Sequence, residues 1–363
     1  MRRMLSKLGV YKVASLCLVI TLFLTGWVAA SLEPEKSELG EPPVWPERQA
    51  VTAATQEWDY FIYLPLVQRP PPPPPWVDTQ NREASRTLYL EEYLGSANTG
   101  SGWTGNHATC GAGVTSETFL ASMLRRINYF RSMAGTPPLT GFNDTYNQKA
   151  QAAALMMSVN RTLSHSPDAS WICYTEDGRE GAGSSNLYLG VYGPSAISGY
   201  VYDPGSGNYF VGHRRWILYP QTQVMGTGDI PSRDGYPASN ALWVFDQDNM
   251  WGPRPDTRET FVAWPPSSYV PYQVVYPRWS FAYAGADFSQ ATVTMTRAGQ
   301  SLALQQNTVV NGYGENTLVW EPQTSFSSAP AADTPYQVTI SNVIIETQPR
   351  SFTYTVIIFD PAY

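Results

Sequence analysis

Three pieces of one stretch decide the reading of this chain: LSHSPDASWICYT (163–175), GREGAGSSNLYLG (178–190) and NYFVGHRRWILYPQTQVMGTG (208–228). They hold two of the three histidines in 363 residues, His165 and His213, and one of the three cysteines, Cys173. Two scarce imidazoles flanking a Gly/Ser-rich loop have the makings of a site, since neutral imidazole is a good ligand for zinc and a good proton acceptor. Two histidines alone bind a metal weakly, so a carboxylate or a third imidazole has to join them. Asp203, ten residues before His213, is the nearest acid on that side, and Glu176, Asp177 and Glu180 lie just upstream of the loop. His107 sits three residues before Cys110 and is the remaining histidine. The competing reading is structural. Ser164 and Ser166 fit a turn that His165 caps, and His213 fits a buried ring bonded to a carbonyl. Arg214 and Arg215 suit a bidentate carboxylate clamp or a solvated strand edge. The pieces Trp216–Tyr219, Val224–Gly226 and Leu242–Phe245 read as strands.

Working back from this stretch, the chain turns helical. Ser116 is an N-cap, and Phe119, Leu120, Met123, Ile127 and Phe130 follow at spacings of three and four, a single apolar face. Gly135 and Pro137–Pro138 end that helix. Asn143 or Asp144 caps a second one, alanine-rich, running to about Ser158, and Ser85–Leu94 fits a short third. Between them, residues 95–115 form a Gly/Ser/Thr-rich loop that carries His107 and Cys110.

The first 30 residues read as a signal peptide: Arg2, Arg3, Lys7 and Lys12, then an apolar run, then Ala29-Ala30-Ser31. The alternative is an uncleaved anchor, which would be the chain's only membrane attachment. Cys17 lies within the leader, so the exported chain keeps Cys110 and Cys173, and an even pair outside the cytoplasm predicts one disulfide. Residues 31–81 are polar and proline-rich, closing with the unbroken run Pro70–Pro75, and read as a disordered linker with a stiff spacer, interrupted by the apolar patch Trp58–Val67. Net charge is -7, and the leader takes away four of 23 basic residues and none of 30 acidic ones. No basic footprint remains, which excludes nucleic acid as a partner.

After Asp246 the text changes again. Gln273–Tyr276, Ala291–Thr296, Thr317–Trp320, Gln337–Ile340 and Phe352–Phe359 are short β-rich runs separated by turns, the pattern of an all-β sandwich over 260–363. Trp264, Trp279 and Trp320 there suit either a carbohydrate-stacking platform or the sandwich core.

Taken together, Met123–Leu139 with its Asn128-x-x-Arg131, the second helix NQKAQAAALMM, LSHS with His165, SNLYLG, GHRRWIL with His213 and the MGTG strand resemble the CAP superfamily: the cysteine-rich secretory proteins, antigen 5 and pathogenesis-related 1 proteins. The resemblance spans Ser116 to Phe245 and implies an α+β fold, a three-layer α/β/α sandwich over 82–250 (core 116–246), with the Ig-like β-sandwich appended. It further implies a cleft where His165 and His213 meet, able to take a divalent metal such as zinc, and usually completed by two acidic residues. Ser185 stands where the family often has glutamate, next to Asn186, and Asp203 is the carboxylate near the second acidic position. Read this way, the chain is an extracellular binding protein whose cleft takes a small apolar ligand, a lipid or a cell-surface component. The rival reading is a metal-assisted hydrolase that uses His165, His213 and one of Asp203, Glu176 or Glu180. A third reading assigns carbohydrate or surface binding to the β-sandwich. His-Glu-x-x-His, Gly-x-Ser-x-Gly and phosphate-cradling motifs are absent from the sequence.

Overall fold

A computed structural model describes residues 75–363. The expected signal peptide, the apolar patch Trp58–Val67 and nearly all of the proline-rich linker lie outside the described residues.

The chain enters through α1 (Arg82–Leu88), capped by the Asn81 side chain and continued as a π-helical turn, Tyr89–Leu94. Then come α2 (Glu117–Ala134), β1 (Gly141–Phe142), α3 (Asp144–Asn160), α4 (Glu176–Gly183) and β2 (Ser185–Leu189). They are followed by α5 (Pro194–Tyr202), α6 (Gly212–Ile217), β3 (Val224–Ile230) and β4 (Ser239–Trp243). Both long helices start where their caps predict. Ser116 Oγ accepts the Phe119 N–H, and Asn143 Oδ1 accepts those of Thr145 and Tyr146. Gly135 closes α2 in the left-handed conformation that glycine adopts at no steric cost.

The four strands form one sheet in the order β1-β3-β4-β2, with β1 parallel to β3 and the other pairs antiparallel. Alternation along the strands assigns the faces. Leu187, Ile230, Ala241 and Trp243 pack with the alanines of α3 on one side, and Met225 and Leu242 pack with α2 and α5 on the other. The result is the expected three-layer α/β/α arrangement. The MGTG segment earns its glycines here: a Cβ at Gly228 would collide with the backbone of Ala150 and Gln151, so α3 lies directly on β3.

Downstream, β5 (Val262–Trp264), β6 (Ser268–Pro271), β7 (Trp279–Ala282), β8 (Thr292–Arg297), β9 (Gln300–Ser301), β10 (Leu304–Gln306), β11 (Thr317–Pro322), β12 (Thr334–Ile345) and β13 (Gln348–Phe359) build the sandwich. Its sheets run β10-β11-β7-β5 and β6-β13-β12-β8-β9. Trp264, Trp279 and Trp320 are fully buried, which removes the carbohydrate platform read from these three residues: their rings fill the core.

Three local readings need correction. Trp216–Tyr219 is not a strand; Trp216 belongs to α6, a six-residue helix too short to show a period. Gln273–Tyr276 is not a strand either, since Tyr272–Val274 forms a 3-10 turn. The segment after Ser164 hides two helices, α4 and α5. The glycines of α4 and the shortness of both mask the helical signal.

One core crosses the boundary between the α/β and β layers. It runs from Met123, Ile127 and Phe130 of α2 to Trp264, Phe281 and Val338 of the sandwich. The Phe130 and Trp264 rings meet edge-on at 5.2 Å.

Candidate functional site

His213 is placed by three local devices. The first is the end of α5, where Asp203 takes a left-handed conformation (φ 55°), one that aspartate tolerates better than most residues. Its carboxylate, 1 % exposed, turns back toward α6, where Oδ2 accepts the His213 backbone N–H at 3.0 Å and Oδ1 meets Nδ1 at 2.7 Å. The second is Gly212, where a Cβ would strike the Phe210 ring. The third is Arg131, the arginine of the Asn128-x-x-Arg131 motif. It is fully buried in α2 and donates to the carbonyls of Pro137, Ile217, Tyr219 and Thr222, so it grips the end of α6. Burial pushes its pKa down to about 9.

His165 is held across the loop. Its Nδ1 lies 2.9 Å from the Ala182 carbonyl at the end of α4. A carbonyl only accepts, so Nδ1 carries the proton and Nε2 the lone pair. The carboxylate on His213 imposes the same tautomer. In the neutral form both rings therefore offer Nε2 as an acceptor.

They do so into one cleft of about 300 Å³. His165, His213, Ser185 and Asn186 form its polar part; Phe210, Trp216, Val244, Phe245 and Tyr313 form its apolar wall. Asn186 donates from Nδ2 to the His213 carbonyl, and its own carbonyl accepts the Tyr200 hydroxyl. Ser185 is 4 % exposed, and its hydroxyl has no hydrogen-bond partner among the described residues. A buried orphan hydroxyl costs about 1–3 kcal/mol.

The other acids named from the sequence are elsewhere. Glu180 pairs with Lys149 on the exposed side of α4 at 2.6 Å, and Glu176 pairs with Arg179. Asp177 shares the exposed first turn of α4. His107 does not reach the cleft as a third ligand. Its ring stacks on Tyr236 at 4.4 Å, and its Nε2 donates to Ser158 Oγ, which in turn donates to the Pro237 carbonyl. Burial lowers its pKa. The Cys110–Cys173 disulfide is formed and ties the loop bearing His107 to the segment between α3 and α4.

For a divalent metal the protein's offering is two imidazole Nε2 atoms. Asp203 is committed to His213, Ser185 replaces a carboxylate, and among the described residues no group of three or more His, Cys, Asp or Glu could hold a metal ion. That donor set does not fit a three-ligand catalytic centre.

The arginines of GHRRW bind neither a carboxylate nor solvent. Arg214 donates to the carbonyls of Val201 and Arg278 and to Ser280 Oγ; Arg215 donates to those of Val310 and Glu315. Burial pushes both down to about 10. In return, Arg278 of the sandwich donates to the carbonyls of Asp203, Gly205 and Asn208, fixing the loop under the cleft. Tyr313, also from the sandwich, packs on Phe210 at 4.7 Å. The sequence reading missed Phe210, Trp216 and Tyr313. The first two flank His213 in its own motif, whereas nothing near Tyr313 in the sequence announces a site.

Residues 124–247 match the cysteine-rich secretory protein family, CAP. No curated protein matches the chain. Among solved structures, the chain is similar to PcoC, a methionine-rich copper resistance protein from Escherichia coli, at 16% identity and a TM-score of 0.21, over 26% of this chain and 92% of that one. The selenomethionine form of the same protein matches at 14% identity and a TM-score of 0.21, over 29% of this chain and 99% of that one.

Proposed function

Because residues 124–247 carry a CAP domain, we propose that this chain is an extracellular binding protein that takes one small amphipathic ligand in the His165–His213 cleft. The disulfide supports a place outside the reducing cytoplasm. The observation that carries the binding role is the make-up of the cleft: an aromatic wall facing two imidazole acceptors. A ligand with an apolar body and one or two donor groups satisfies both halves. The volume, about 300 Å³, is at the small end of ligand sites. A metal-assisted hydrolase is the weaker reading: among the described residues the carboxylate beside the histidines is Asp203, which is already committed to His213, and no group of three or more His, Cys, Asp or Glu could hold a metal ion.

The test uses the scarcity of histidine. Three rings give three resolvable imidazole signals by NMR. Titration with 2-naphthol, an aromatic body with one donor, is expected to move His165 and His213 saturably and to leave His107 in place. The His165→Ala/His213→Ala variant is expected to bind at least tenfold more weakly with unchanged circular dichroism. Equal binding by the variant, or no response from either ring, overturns the proposal. Zinc titrated in parallel tests the rival: tight, stoichiometric uptake lost in the same variant would favour the metal reading.

A further inference from the structure

The polar half of the cleft is made of acceptors. Besides the two imidazole Nε2 atoms, Asn186 and Asn208 line it. Asn186, 3 % exposed, spends its Nδ2 on the His213 carbonyl, and Asn208 spends its Nδ2 on the Pro204 carbonyl. A carbonyl only accepts, so these bonds fix which way each amide faces. The Oδ1 atom of each is left over, and among the described residues neither has a partner. No charged side chain of the described residues lines the cleft. Asp203, the nearby carboxylate, is buried behind His213. Arg214 and Arg215 spend their donors on carbonyls and on Ser280, away from the cleft.

The apolar half is a row of aromatic rings in contact. Between ring centres, Phe210 lies 4.7 Å from Tyr313, Tyr313 lies 6.4 Å from Trp216, and Trp216 lies 4.9 Å from Phe245. All four side chains keep part of their surface in solvent. They form one continuous wall, open at the Tyr313 end, where the residue is 37 % exposed.

These two halves narrow the ligand. An anion finds no cation to pair with, and a cation finds no exposed carboxylate. A purely apolar molecule strips water from four acceptors and returns no hydrogen bond to them. What fits is neutral, carries several hydroxyl donors and still presents an apolar face. A pyranose whose hydroxyls are all equatorial meets each condition. Its donors lie around the rim, and its two faces are C–H bonds, whose slight positive charge suits the negative face of an aromatic ring. A volume of about 300 Å³, at the small end of ligand sites, suits a single sugar ring.

We propose that the cleft binds one neutral pyranose of the β-gluco type, free or at the end of a glycan. Its face lies on the wall that Trp216 and Tyr313 build, and its hydroxyls donate to the imidazoles and the amide oxygens. The proposal rests on the cleft being a ligand site and names the ligand's class.

The probe is methyl β-D-glucopyranoside at pH 8, where ordinary imidazoles are neutral. It is expected to move the His165 and His213 signals saturably with a millimolar Kd and to displace 2-naphthol. Saturation transferred from the protein's aromatic protons should reach the ring hydrogens of the sugar more strongly than its methyl group. The fully O-methylated glucoside keeps the apolar faces and loses every donor, and it is expected to bind at least tenfold more weakly. Tyr313→Ala should weaken the glucoside about fivefold, and Tyr313→Phe should restore binding, both with unchanged circular dichroism. Cellobiose binding as tightly as the glucoside would place the ring at the end of a glycan; its exclusion would assign the free sugar, and either result keeps the class. No binding of the glucoside, undiminished binding of its O-methylated form, full binding by Tyr313→Ala, or tighter binding of tetramethylammonium would overturn the proposal. If 2-naphthol still moves His165 and His213 in that case, the cleft stands and only its sugar ligand falls; if it does not, both fail.

Discussion

At the scale of single residues, the site depends on two buried aspartates doing different work. Asp203 is held by hydrogen bonds from the His213 ring and backbone and fixes one tautomer of one imidazole. Asp229 lies in the sheet, receives the Gly193 N–H, the Thr227 hydroxyl and the Asn240 amide, and is raised by burial to about 6. The Asn240 amide group links onward through the Tyr200 hydroxyl to Asn186 in the cleft. An unfolded aspartate releases its proton near 4. The folded chain therefore binds the extra proton between about 4 and about 6. The stability this brings is fully present below about pH 4 and is lost as pH rises through about 6. The wild type is expected to lose roughly 3 kcal/mol over that window relative to Asp229→Asn, in which nothing titrates at this position. Urea unfolding of both chains at pH 4, 5, 6 and 7 checks this. A constant difference between them would refute it.

At the scale of elements, α6 is the piece on which the site turns. Six residues cannot hold a helix in isolation. Arg131 grips its last carbonyls from α2, and Arg214 and Arg215 anchor it to the sandwich. Among the described residues none of the three arginines makes an ion pair; each is matched mainly to carbonyl oxygens. Removing one leaves several buried acceptors unpaired. Arg131→Ala is expected to cost about 3 kcal/mol or more, because bonds from a charged donor are worth about 1.5–3 kcal/mol each and the orphaned carbonyls add a penalty. The midpoint of urea unfolding should fall with its slope unchanged. A loss below about 1 kcal/mol would mean that water replaces the guanidinium. The motif Asn128-x-x-Arg131 was legible in the sequence, but its job was not, since its targets lie far along the chain.

At the scale of the whole molecule, the α/β layers and the sandwich behave as one body over the described residues. Beyond the shared core, Arg82 of α1 pairs with Asp333 and donates to the carbonyls of Asp360 and Tyr363, and Arg258 donates to those of Val77, Ser132 and Met133. Apolar burial across such a boundary couples the unfolding of both sides. Calorimetry is expected to show one transition with matching calorimetric and van't Hoff enthalpies. Two separated transitions would mean that each part carries its own stability. The same coupling explains how Tyr313 comes to wall a cleft whose histidines belong to the other layer.

The sequence by itself determined what local rules govern. Ser116 and Asn143 started α2 and α3, because a cap needs only the next turn of chain. Parity and compartment paired Cys110 with Cys173. The resemblance to the CAP superfamily, more than scarcity, singled out His165 and His213 from His107, and alternation marked the strands of the sandwich. Only the tertiary structure decided what depends on distance across the fold. Asp203, not Glu180, meets His213 because a left-handed residue turns its carboxylate back over a loop. Arg214 and Arg215 face inward because the sandwich brings them carbonyls. His107 stacks on Tyr236 instead of entering the cleft. Each of these outcomes is set by a partner remote in the chain, and no spacing along a sequence encodes which buried donor will find which acceptor.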